Sequence, residues 1–150
     1  MARTWDEAEL IAEGFERVHI ESEIYDGPRA GLADIEGQPH YFDTTPDCTW
    51  GGEVDEYIVW PASEEAVALE FEQWAIYVTY TQRLEAREVG SGSHPGYGGI
   101  DARYDELTRL LSPHRERPDT ARKLLAELRF DQREGYRIDG TDMWFRWRVR

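Results

Sequence analysis

From Arg17 the chain alternates, with apolar Val18, Ile20 and Ile24 set between His19, Glu21, Glu23 and Tyr25. A period of two predicts a strand with one wet face. Asp26-Gly27-Pro28 punctuates it, Arg29 to Ile35 reads as a second strand, Glu36-Gly37 as a turn, and Pro39 to Asp43 as a third strand. This is the pattern of an antiparallel meander. Thr44 to Gly52 is loop material, and Glu56 to Trp60 is a short apolar strand stopped by Pro61. Before the meander, Glu7 to Phe15 predicts a short helix with Leu10, Ile11 and Phe15 inward.

The period then changes. Ser63 is a good N-cap, and Glu64 and Glu65 complement the helix dipole, so a helix is expected from there to about Glu88, before Gly90. Val67, Phe71, Trp74 and Val78 fall on one side of it, and Leu69, Ile76 and Tyr80 on nearly the opposite side. A surface helix needs one apolar stripe, so two imply burial on both sides. The second stripe is covered either by the later helices or by a second subunit, and a homodimer stays open.

Gly90 to Gly99 reads as a flexible connector, followed by a helix from Asp101 to Leu111 presenting Ile100, Tyr104, Leu107 and Leu111. Pro118 and Asp119 open a further expected helix carrying Ala121, Leu125 and Leu128. The end reads as a hairpin: Tyr136-Arg137-Ile138, the turn Asp139-Gly140, then Met143 to Val149. In that last strand Met143, Phe145, Trp147 and Val149 share one face. The expected fold is a single α+β domain over residues 1–150. It is an antiparallel meander sheet packed against one long central helix and shorter helices, with a C-terminal β-hairpin.

Composition supports a folded domain: 40% of residues are apolar and 13% aromatic, too rich for an acidic disordered chain. Charge is laid down unevenly. Residues 1–75 hold 19 acidic and 3 basic side chains, a net of −16, while residues 76–150 hold 12 acidic and 14 basic, a net of +2, which together give −14. Such a chain repels nucleic-acid phosphates and anionic lipid headgroups and suits a cationic partner. Cys48 is the sole cysteine, so no internal disulfide can form. The first residues lack the apolar run of a signal peptide, and no run approaches a membrane span. The expectation is a cytoplasmic protein with no membrane and no nucleic-acid partner.

The stretch Tyr25-Asp26-Gly27-Pro28-Arg29-Ala30-Gly31-Leu32-Ala33-Asp34-Ile35-Glu36-Gly37-Gln38-Pro39-His40-Tyr41-Phe42 resembles a group of small uncharacterised bacterial proteins. They share a D-G-P-R-x-G-x-A, then G-x-P-H-x-F, pattern. The resemblance runs loosely through Asp55 to Trp60 and the Trp-rich helix, about half of the chain. It implies a bacterial source and carries no activity, so no functional residue transfers. In physical terms the motif is a hairpin in which Gly31 allows close backbone approach.

Candidate chemistry is sparse. His40, Asp43, Asp47 and Cys48 offer zinc-type ligands, but their spacing matches no ligand pattern, and a strand running into a loop would aim them apart. Cys48 as a nucleophile needs a base, and nothing selects one among four histidines. The glycines of 90–99 follow a helix and lack the Gly-Lys-Ser/Thr of a phosphate loop. No catalytic residue, metal site or cofactor is assigned, and an enzyme is not favoured. Two readings remain. In the first, an acidic patch around an aromatic anchor (Asp43, Asp47, Trp50, Glu53, Asp55 and Glu56) binds a basic protein, as an immunity or antitoxin protein or a charge mimic would. In the second, an aromatic pocket between sheet and long helix, with His40, Trp60, Trp74 and Tyr77, holds a small molecule or serves an enzyme.

Overall fold

The computed structural model describes residues 3–24, 28–45, 54–133 and 135–149. Strand β1 (Thr4–Trp5) and helix α1 (Glu7–Ala12) lead into the meander β2 (Glu16–Ile24), β3 (Pro28–Ile35), β4 (Gln38–Thr44) and β5 (Val54–Pro61). The long helix α2 (Glu64–Glu85) follows, then single 3-10 turns at Ser91–Ser93 and Pro95–Tyr97, and helix α3 (Ala102–Arg115). The chain ends with β6 (Arg122–Asp131), the short pair β7 (Tyr136–Arg137) and β8 (Gly140–Thr141), and β9 (Met143–Arg148).

The fold mixes helix with antiparallel sheet, and the sheet closes on itself. Strand β6 pairs with both β5 and β9, and β9 pairs with β2, so β2-β3-β4-β5-β6-β9 form a six-stranded antiparallel barrel. Closure removes the edges that an open meander would leave unpaired. Inward residues from all six strands fill the interior, among them Val18, Phe42, Tyr57, Leu124 and Phe145. The rings of Phe42, Tyr57 and Phe145 meet with centroids 5.2 to 5.5 Å apart. Packed side chains therefore fill the barrel interior among the described residues.

Several expectations are corrected. The helix expected after Pro118 is strand β6. Ala121, Leu125 and Leu128 have helical spacing, but Leu124, Ala126, Leu128 and Phe130 have strand spacing, and the gain from closing the barrel decides for the latter. The C-terminal hairpin is present only as β7–β8, while β9 leaves it to pair with β6 and β2. Met143, Phe145 and Trp147 do share the inward face. Val18 and Ile20 do not share a face as simple alternation predicts. They oppose consecutive residues, Ala33 and Leu32, so a bulge at His19 turns Val18 into the barrel and Ile20 out of it.

Local chemistry explains the element ends. Ser63 Oγ accepts from the Ala66 N–H at 3.1 Å, as an N-cap should, and α2 ends just before Arg87, in left-handed backbone at φ 60°, short of Gly90. Helix α1 stops at Ala12, and α3 runs through Pro113 to Arg115, past the expected Leu111. The Glu36-Gly37 turn has positive φ at both residues, and both of its N–H groups donate to the Glu16 carboxylate at 3.0 and 2.8 Å. The Asp26-Gly27 turn and the loop over residues 46–53 lie outside the described residues.

Gly31 meets its sequence reading fully. A Cβ there would lie 1.9 Å from the carbonyl oxygen of Ile20, on the bulged stretch of β2. Since a backbone oxygen cannot swing aside, Gly31→Ala is expected to lower the unfolding free energy by about 1–3 kcal/mol or more. Urea denaturation checks this, and a change under half a kilocalorie would show that β2 yields there.

Candidate functional site

The outer wall of the barrel carries the second half of the protein. The Val67, Phe71, Trp74 and Val78 side of α2 packs on Ile20, Leu32, Tyr41, Ile58 and Trp60. Helix α3 covers the other side. Gln73 Nε2 donates to the Tyr104 carbonyl at 3.1 Å and to Thr108 Oγ1 at 2.7 Å, and Arg103 pairs with Glu72. Of the second stripe, Tyr80 is buried with its hydroxyl donating to the Ser91 carbonyl, and Leu69 and Ile76 are half-buried.

Where β2, β3 and β4 diverge from the two helices, a cleft of about 750 Å³ opens. Tyr41 and Trp60 stack at 5.6 Å on the strand side. Trp74 and Tyr77 come from α2, Tyr104 from α3, Tyr136 from β7 and His94 from between the two 3-10 turns. Trp74 packs on Tyr136 at 5.2 Å, and His94 lies 5.6 Å from Tyr77 and 5.1 Å from Tyr80.

The cleft's polar centre is Glu70, 5% exposed. Tyr41 Oη donates to its Oε2 at 2.7 Å, and Arg115 grips the carboxylate with Nε at 2.9 Å and a terminal nitrogen at 2.8 Å. The same Arg115 nitrogen donates to Gln73 Oε1 at 2.6 Å. Burial first, and then the charge of Glu70, hold the Tyr41 phenol far above its ordinary range. Burial likewise raises Tyr77, with the charge of Glu21 adding to it, and raises Tyr104. Glu21, buried on bulged β2, accepts the Tyr136 hydroxyl. The Tyr41 phenol thus keeps its proton and donates it in a hydrogen bond to Glu70.

Of the residues read from sequence as a pocket, Trp60, Trp74 and Tyr77 line the cleft. His40 does not. It follows the parity of Phe42, into the barrel, with Nδ1 2.8 Å from the Gln38 carbonyl oxygen. Of the acidic patch, Asp43 lines the cleft and lies 3.6 Å from Arg117. Asp55 is half-buried, while Glu56 is 4% exposed and accepts from Thr45 Oγ1, so it belongs to the interior rather than to an open acidic surface. Asp47, Trp50, Glu53 and Cys48 lie outside the described residues. No group of three or more metal-type ligands converges among the described residues. Glu21, Tyr41, Glu70, Tyr104, Arg115 and Tyr136 escaped the sequence reading, because five separate elements, one of them a bulged strand, bring them together. The chain matches no protein-family model, no curated protein and no solved structure. No helix among the described residues is long and apolar enough to cross a membrane.

Two outcomes follow. Glu70→Ala strands Arg115 and Tyr41, and is expected to cost about 2–3 kcal/mol in chemical denaturation, reduced from a fully buried pair because water reaches Arg115. A second concerns alkaline pH. The folded chain keeps the Tyr41, Tyr77 and Tyr104 protons that an unfolded chain releases near the ordinary phenol value of 10.0. Their contribution is therefore whole below that pH and declines as pH rises through it. Denaturation curves above and below this point should show the decline, and Tyr41→Phe should make it shallower.

Proposed function

We propose that this protein binds a small organic molecule in the cleft between the barrel wall and helices α2 and α3. The observation that carries the reading is the cleft itself: about 750 Å³, where aromatic rings share the wall with the charged side chains Glu21, Arg29, Asp43, Glu70 and Arg115. That is the size of a small-molecule site, with convergent polar groups to orient a guest. The solid barrel interior supports it too, because it leaves the outer wall as the place where a guest can be held. The alternative, an acidic patch for a basic protein, has less behind it, since Glu56 is buried and Asp43 has Arg117 beside it.

A thermal-shift screen of small organic molecules tests the proposal. A ligand at a hundredfold excess over its Kd adds about 2.7 kcal/mol of stability. Ser22 is exposed and lines the cleft. Ser22→Trp is expected to abolish the shift and leave the free protein's Tm nearly unchanged. Ligands that stabilise both proteins equally would place binding elsewhere.

A further inference from the structure

We infer that the guest of this cleft is an organic cation, an ammonium group carried on an apolar or aromatic body; the inference rests on the cleft being the binding site. Four side chains of its walls have their polar hydrogens committed within the protein. Trp74 Nε1 donates to the Arg137 carbonyl at 2.7 Å, and Trp60 Nε1 to the His114 carbonyl at 3.2 Å. The hydroxyls of Tyr41 and Tyr136 donate to Glu70 and Glu21. What these four side chains leave for a guest is electron-rich: ring faces and phenol oxygen lone pairs.

Electron-rich surfaces attract cations, because the negative face of an aromatic quadrupole favours positive charge. Trp74, Tyr77 and Tyr136 form a three-ring cluster with centroids 5.2 to 6.0 Å apart and planes inclined by 40 to 73°, none of the three pairs being a parallel stack. Glu21 adds negative charge beside this cluster, with its carboxylate on Tyr136 and its field felt by Tyr77. The two guanidinium groups of the lining do not reverse the balance. Arg115 is spent on Glu70 and Gln73, and Arg29 is engaged within the protein. Beyond the cleft, a net charge of −14 steers cations in and anions away.

A set of probes of one shape and three charges tests this. Calorimetric titration of the full chain, in an amine-free buffer, would compare (4-hydroxyphenyl)trimethylammonium with its uncharged isostere 4-tert-butylphenol and with 4-tert-butylbenzoate. The cation is expected to bind at least about tenfold more tightly than the isostere, with the benzoate weakest. Tyr77→Leu should bring the cation-to-isostere ratio toward one, while Tyr77→Phe, which keeps the ring, should preserve it. Equal or tighter binding of the isostere or the benzoate overturns the cation and leaves the cleft reading standing if Ser22→Trp still blocks it. Binding of none of the three also overturns the cation, whereas the cleft reading falls only if the broader screen is empty as well.

Discussion

A carboxylate taken out of water must be repaid in hydrogen bonds, and Glu70 receives three of them from two side chains. Its partners are Tyr41 from β4 and Arg115 from α3, and Arg115 also holds Gln73 one turn along α2. The three elements are thereby fixed at a set spacing. Apolar contact alone would let α2 slide on the sheet at little cost, because the hydrophobic effect is non-directional. The Glu70 bonds have direction, so the gap between wall and helices has a defined width.

The meander was legible because strand period and turn residues agree, and Glu36-Gly37 and Gly31 do there what their chemistry suggests. Closure was not legible. β6 carries apolar residues on both faces, Leu124 inward and Leu125 outward, so alternation is blurred and helical spacing competes. The pairing of β6 with β9 joins residues 125–130 to residues 143–148, and no local signal marks it. A smaller part of the cleft was likewise visible. Trp60 and Trp74 stand on elements with clear patterns. Glu21 reaches it through a bulge, and Arg115 through a helix turn lying beyond Pro113, where a sequence reading stops the helix.

The charge asymmetry along the sequence is partly an asymmetry of order, not of surface. Arg115 with Glu70, Arg103 with Glu72, Arg117 with Asp43 and Arg129 with Glu13 each join a base of the second half to an acid of the first. Arg129 also lies 3.8 Å over the Trp5 ring, so its charge is used in internal packing. Segregated charges in sequence become complementary neighbours once the barrel closes.

The packed barrel interior has a consequence for how such a protein can change. In a hollow barrel one set of inward side chains must both stabilise the fold and shape the guest, so each substitution affects both. Here Tyr57, Leu124 and Phe145 keep the structure standing, while the cleft takes its rings from the outer wall and helices, with Phe42 alone shared between the two. Recognition can therefore drift, specialise or be redesigned on the outside, over a foundation that need not be rebuilt.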